Sequence, residues 1–152
     1  MVTLASKQLN YAQAYGPQLT ISYPLAASVA FKYLGGKFVT LDANERITLS
    51  GSGDDPIKGW AYAGEFTSSA TAGDEFITVN DSREARYWIP ADAAVTRDLI
   101  EKTCDLIVNN GIQQADVGES NEDVLLIHDV DITLQAVLVS IVDPGHALTG
   151  VV

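Results

Sequence analysis

Apolar and polar residues alternate in short runs along most of this chain, and turn residues recur every eight to twelve positions from Gly35 onward. That spacing predicts an all-β barrel or sandwich. Phe38–Leu41 reads as a strand that turns at Asp42-Ala43-Asn44-Glu45 and returns as Arg46–Leu49. A Gly/Ser/Asp loop over 51–56 then leads into an aromatic strand, Gly59–Ala63. Further strands are expected at Phe76–Val79, after Ala72-Gly73-Asp74, and at Arg86–Ile89, after the polar loop 80–84. Leu106–Val108 meets Asn109-Asn110-Gly111, and Asn-Gly between apolar runs is the strongest short hairpin signal.

Val124–His128 and Thr133–Val142 read as long apolar strands near the end. In the second, Leu134, Ala136, Leu138 and Ser140 share one face, and Gln135, Val137, Val139 and Ile141 the other. Apolar residues on both faces imply cover on both sides, with core on one and a neighbouring subunit as a candidate for the other. Nearer the start, Leu19–Tyr23 alternates as a strand until Pro24 stops it, and Ser28–Leu34 is again β-branched and aromatic. The one helix expected is a turn or two near Thr96–Lys102, with Thr96 as N-cap. Val2–Tyr15 shows neither period 2 nor period 3.6, and Gly16-Pro17 breaks it. The reading is therefore mainly β: a small antiparallel barrel or sandwich over 17–152, with one short helix and an N-terminal arm over 1–16.

Length and composition fit a single packed domain. A chain of 152 residues buries roughly 68–70% of its unfolded surface, enough for a core without metal or disulfides. Its apolar runs are far shorter than the ~20 residues a membrane helix needs. The start, Met1 to Lys7, lacks a charged segment followed by an apolar one, so no signal peptide is expected. Cys104 is the only cysteine and lies in an apolar context. It reads as a small core residue, with a reactive thiol as the other reading. These features together fit folding in a cytoplasm.

Charge is unevenly placed. The net charge is −11, yet residues 1–50 carry four cations against two acids, and residues 51–152 five cations against eighteen acids. An acidic body without a basic stripe argues against nucleic acid as a partner, because phosphate contacts need clustered Lys and Arg. The less acidic N-terminal part is the one suited to lie against a partner.

Candidate chemistry is sparse. His128 sits inside an apolar strand and His146 follows an Asp143-Pro144-Gly145 turn, so neither forms the short-spaced pair that metal sites favour. No Gly-x-Ser-x-Gly elbow is present, and Gly51-Ser52-Gly53 lacks the lysine of a phosphate loop. Glu119, Glu122, Asp123, Asp129 and Asp131 crowd the last third, reading as a solvated acidic rim, with Ca²⁺ binding as the other reading. Asn80-Asp81-Ser82 matches the glycosylation triplet by chance if the chain is not secreted. No catalytic residue, cofactor or metal is expected. Trp60, Tyr62, Tyr87 and Trp88 are more suggestive, since Tyr and Trp suit interfaces. Adjacent Tyr87 and Trp88 face opposite ways on a strand, so one of them is expected to meet a partner or a packed loop.

Several segments resemble the head decoration (auxiliary or cement) proteins of tailed bacteriophages. They are the strand–turn–strand over Gly36–Gly53, the Ala72-Gly73-Asp74 turn, the run from Pro90 through Lys102 to Gly111, and the closing strand over Asp129–Asp143. The resemblance covers about residues 35–143, and residues 1–34 lie outside it. It implies a compact β domain, usually a homotrimer, made in the host cytoplasm and bound to the outer capsid surface of the virion. There it would clamp neighbouring copies of the major capsid protein, often through an N-terminal arm that adds a strand to their edges. On that reading Leu4, Lys7, Leu9, Tyr11 and Tyr15 contact the shell, and Trp60, Tyr62, Tyr87 and Trp88 divide between core and subunit contacts. No membrane or nucleic acid is implied. The alternatives are another virion component (neck, tail or head fibre), a small trimeric β-fold enzyme such as a dUTPase-like hydrolase, and a ligand-binding barrel.

Overall fold

A computed structural model describes residues 12–53, 56–118 and 121–142, and in it the chain is mainly β, as its patterning predicts. Thirteen strands follow in order: β1 (Ala12–Tyr15), β2 (Thr20–Pro24), β3 (Ala30–Phe31), β4 (Lys37–Leu41), β5 (Ile47–Leu49), β6 (Gly59–Ala61), β7 (Phe66–Thr67), β8 (Phe76–Asn80), β9 (Arg86–Pro90), β10 (Thr103–Asn109), β11 (Ile112–Asp116), β12 (Leu125–Asp131) and β13 (Ala136–Ile141). The expected helix is a single 3₁₀ turn, Arg97–Leu99, and Thr96 precedes it without a side-chain cap bond.

Two sheets carry the fold. One has six strands in the order β1-β9-β13-β12-β10-β11, the other five in the order β2-β8-β6-β4-β5. Each curls until its ends nearly meet. A lone parallel bridge joins Ala91, just past β9, to Ala115 of β11, and another joins Leu25, just past β2, to Ile47 of β5. The ribbon of β3 and β7 adds a third, two-stranded piece, with Phe31 and Phe66 stacked at 4.9 Å.

The five-stranded sheet is a wall between two cores. Successive strand residues point to opposite faces, so Val39 and Ala61 join Leu25, Phe31, Ile47 and Val79 in the smaller core. Their neighbours Phe38 and Trp60 turn the other way into the larger one, with Tyr87, Ile89, Leu106, Leu125, Val137 and Val139. Strand β13 is buried on both faces, as expected. The second face needs no neighbouring subunit, because Leu138 is fully buried within one chain, with Trp88 beside it in register.

The turns explain which expectations hold. Asn110 (φ 52°) and Gly111 (φ 77°) both take positive φ in a two-residue hairpin closed by the Asn109–Ile112 pair, the twist that suits right-twisted strands. At 42–45 the Asp42 carboxylate accepts the N–H groups of Asn44 and Arg46, fixing that turn as its sequence suggests. The strand expected from Thr133 starts only at Ala136, since 132–135 form the β12–β13 turn. Asp131 Oδ1 accepts the Leu134 N–H at 2.9 Å, and Gln135 takes φ 52°, so a turn forms without Gly or Pro. Four residues assigned to the arm, Ala12–Tyr15, form a strand that pairs antiparallel with β9 and belongs to the sheet.

Candidate functional site

The four aromatic residues singled out in the sequence separate by depth. Trp60 and Tyr87 are fully buried and stack at 4.5 Å, with the Phe38 ring edge-on to both at 4.7 and 5.7 Å. They are core. Gly36 lies hard against this cluster, where a Cβ would collide with the Trp60 indole. The Tyr87 hydroxyl is buried with no hydrogen-bond partner, and burial, reinforced by Tyr62, pushes its pKa above the usual phenol range. Tyr62 sets its ring edge against Trp60 at 6.3 Å but is 53% exposed, and Trp88 is half-buried on the outer face of β9. Of the residues expected at the shell, Leu4, Lys7, Leu9 and Tyr11 lie outside the described residues. Tyr15 is placed by its backbone alone, opposite Arg86.

The surface most suited to a partner is one the sequence reading did not single out. Strand β2 is at the edge of its sheet, paired with β8 on one side; on the other, among the described residues, only its Pro24–Leu25 end meets β5, through the Leu25–Ile47 bridge. Leu19 O accepts from Asp81 N and Leu25 N donates to Glu75 O, so the odd-numbered positions face β8. The backbone groups of Thr20 and Ser22 therefore point to the open side, while the Pro24 end is taken up by the bridge to β5. Leu19, Ile21 and the neighbouring Phe76 are all about half exposed or more. Natural sheets usually blunt such edges with charge. Here the sequence carries no charged residue between Lys7 and Lys32, in a chain of net charge −11. That gap was the available signal.

The polar groups are tied into the scaffold. Asp105 is buried, and its carboxylate accepts the N–H groups of Asn121, Glu122 and Asp123, each at 2.9 Å. Burial raises its pKa, but those donors outweigh it and hold the carboxyl below its ordinary value. Asp123 accepts the Thr103 hydroxyl at 2.6 Å, Asp129 its neighbour's N–H and Asp131 that of Leu134. The acids of the last third thus serve as turn acceptors, and no group of three His, Cys, Asp or Glu among the described residues could hold a metal ion. Glu119 and His146 lie outside the described residues. Burial pushes the Cys104 thiol up to about 12, which leaves it inert at neutral pH.

His128 Nε2 and Ser140 Oγ share a 2.7 Å hydrogen bond, the first contact a nucleophile–base pair requires. Ser140 is buried in the middle of β13, which keeps a substrate carbonyl from Oγ. Burial, and then Arg86, lower the His128 pKa. The pair reads as a bond across β12 and β13.

Between the two sheets lies a cleft of about 140 Å³, walled by Ala30, Leu49 and Val108 and framed by Lys32, Lys37, Ser50, Gly111 and Gln113. Lys37 is almost fully buried, and Nζ donates to the carbonyls of Leu34, Gly35 and Gly36 at 3.2–3.5 Å. Burial lowers its pKa to about 8. Gln113 spans the seam through Phe38 and the Ser50 carbonyl. The Ser50 hydroxyl is buried with no partner. Neither Lys37 nor Gln113 stands out in the sequence, because the packing of one sheet against the other brings them together.

Among the described residues no helix is long and apolar enough to cross a membrane. No protein-family model matches the chain, and neither does any curated protein or solved structure.

Proposed function

We propose that this chain is a structural protein of a tailed-bacteriophage particle, bound to the outside of the icosahedral shell as a homotrimer and stabilising the mature capsid. The observation that carries the binding role is the β2 edge: exposed, apolar at Leu19 and Ile21, open on one side at Thr20 and Ser22, and without charge. An edge of this kind accepts a partner strand through its backbone, and its alternate side chains supply specificity. The acidic remainder of the molecule suits the solvent side. The resemblance of residues 36–53, 72–74, 90–111 and 129–143 to decoration proteins supplies the identity of the partner, the major capsid protein. Trimerisation would place three such edges on one lattice site, and linked contacts raise avidity by about 10²–10⁴ over a single one. Another virion position, at the neck, tail or a head fibre, would use the same edge at far lower copy number.

Co-sedimentation with purified shells tests this. The wild-type chain is expected to pellet with them, and Ser22→Pro, which removes an N–H on the open side of β2, is expected to lose binding while keeping its circular-dichroism spectrum. Binding retained by Ser22→Pro moves the contact away from β2. A folded wild-type chain that never pellets with shells overturns the function itself.

A further inference from the structure

We propose that the cleft between the two sheets is a binding site for a short-chain monocarboxylate, a ligand that no step of shell binding requires. Among the described residues, two of the eight that line it are lysines and none is acidic, in a chain with nine cations and twenty acids. Lys37 directs its Nζ to the carbonyls of Leu34, Gly35 and Gly36, so Lys32 is the cation that offers its charge to the cleft. The walls are apolar: Ala30 from β3, Leu49 from β5 and Val108 from β10. At about 140 Å³ the space compares with the roughly 150 Å³ apolar cavity that takes benzene, so it holds a body of about six heavy atoms.

The head of that ligand follows from the polar lining. Ser50 is 1% exposed, and its hydroxyl lacks a partner within the protein. Such a donor is costly to leave unmet, and a carboxylate oxygen would accept from it. The carboxamide of Gln113 is already engaged by Phe38 and Ser50, so it shapes the wall without offering donors. Lys32 is exposed at the mouth, its stem packed over Gly111, where a Cβ would stand 3.3 Å from Lys32 Cδ. A Cβ there would ask the stem to shift by only a few tenths of an ångström, so the glycine serves the turn through its positive φ while Lys32 lies over it. An aliphatic body against Ala30, Leu49 and Val108, with its carboxylate toward Ser50 and Lys32, satisfies each of these features.

The test is an NMR titration of the ¹⁵N-labelled chain with sodium pentanoate, with 1-pentanol as the uncharged control. Saturable shifts are expected at the amides of Val108, Gly111 and Gln113, with 1-pentanol at least about tenfold weaker. Ser50→Ala should weaken pentanoate by about tenfold or more, the loss of a hydrogen bond to a charged group. Lys32→Met removes an exposed charge and should weaken it roughly two- to fivefold. No saturable shift at these amides, equal binding of 1-pentanol, or unchanged affinity in Ser50→Ala each overturns the proposal. Because Ser50 and Lys32 lie away from β2, the same variants should co-sediment with shells normally, which separates this outcome from that of the shell-binding reading.

Discussion

Gln113 holds Phe38 by both of its backbone groups: Oε1 accepts the Phe38 N–H at 2.8 Å and Nε2 donates to the Phe38 carbonyl at 2.8 Å. The side chain acts as a single-residue strand, joining β11 of one sheet to β4 of the other, and its second N–H reaches the Ser50 carbonyl. All of this is buried. The two curled sheets are thereby fixed at one register, with the Phe38–Trp60–Tyr87 cluster beside the seam.

Replacing Gln113 with Leu strips the buried Phe38 N–H and Ser50 carbonyl of the bonds it makes, while the Phe38 carbonyl keeps the Ser50 N–H. The expected loss is about 2–4 kcal/mol in urea denaturation. Gln113→Glu should be at least as damaging at neutral pH, since its carboxylate would face two carbonyls, and should recover partly in acid when the group can donate. A change under about 0.5 kcal/mol in both variants would mean the sheets are held elsewhere.

The buried Tyr87 hydroxyl makes an opposite prediction. Tyr87→Phe keeps the stack on Trp60 and deletes an unpaired polar group, so stability should stay level or rise by about 1 kcal/mol. Trp60→Ala should cost about 3–5 kcal/mol. Gly36→Ala should cost about 1–3 kcal/mol, because the added methyl overpacks the indole. Thermal melts of the three variants check the order, and a destabilised Tyr87→Phe would show that the hydroxyl has a partner.

Much of this architecture was legible in the sequence. Asn110-Gly111 and Asp42–Glu45 carry their turns in their own side chains and backbone preferences, so both hairpins could be read directly. The 132–135 turn could not, because it relies on Asp131 and on Gln135 at positive φ within an apolar run that imitates a strand. Trp60 and Tyr62 look alike in sequence, yet one is buried and the other half exposed, since β6 ends at Ala61. Lys37, Ser50 and Gln113 were illegible for a different reason. Their juxtaposition comes from packing two sheets, and no local pattern encodes it.

Acid should unfold the protein in two windows. Asp105 has its pKa held below the ordinary 3.8, so its stabilisation is full above that value and is lost as pH falls through the lower folded value. His128 is held below 6.5, so its unfavourable protonation begins to erode stability as pH drops beneath 6.5. Asp105→Asn should cost about 1.5–3 kcal/mol near neutrality and progressively less below pH 4. His128→Gln should flatten the slope that opens below pH 6.5. A stability difference between wild type and Asp105→Asn that does not change with pH would contradict this assignment.

Trp88 and Tyr62 are the two singled-out aromatics left at least partly exposed, which makes them the candidates for subunit contact in the proposed trimer. Trp88→Ala should shift sedimentation equilibrium from trimer toward monomer at micromolar concentration, while costing the monomer less than Trp60→Ala does. A trimer unchanged by dilution in Trp88→Ala would remove the residue from the interface.

The central claim is a place on the outer shell, and copy number tests it most directly. Quantitative mass spectrometry of purified phage particles that encode this chain should find it near one copy for each copy of the major capsid protein. A handful of copies per particle, or none, would contradict the assignment to the capsid lattice.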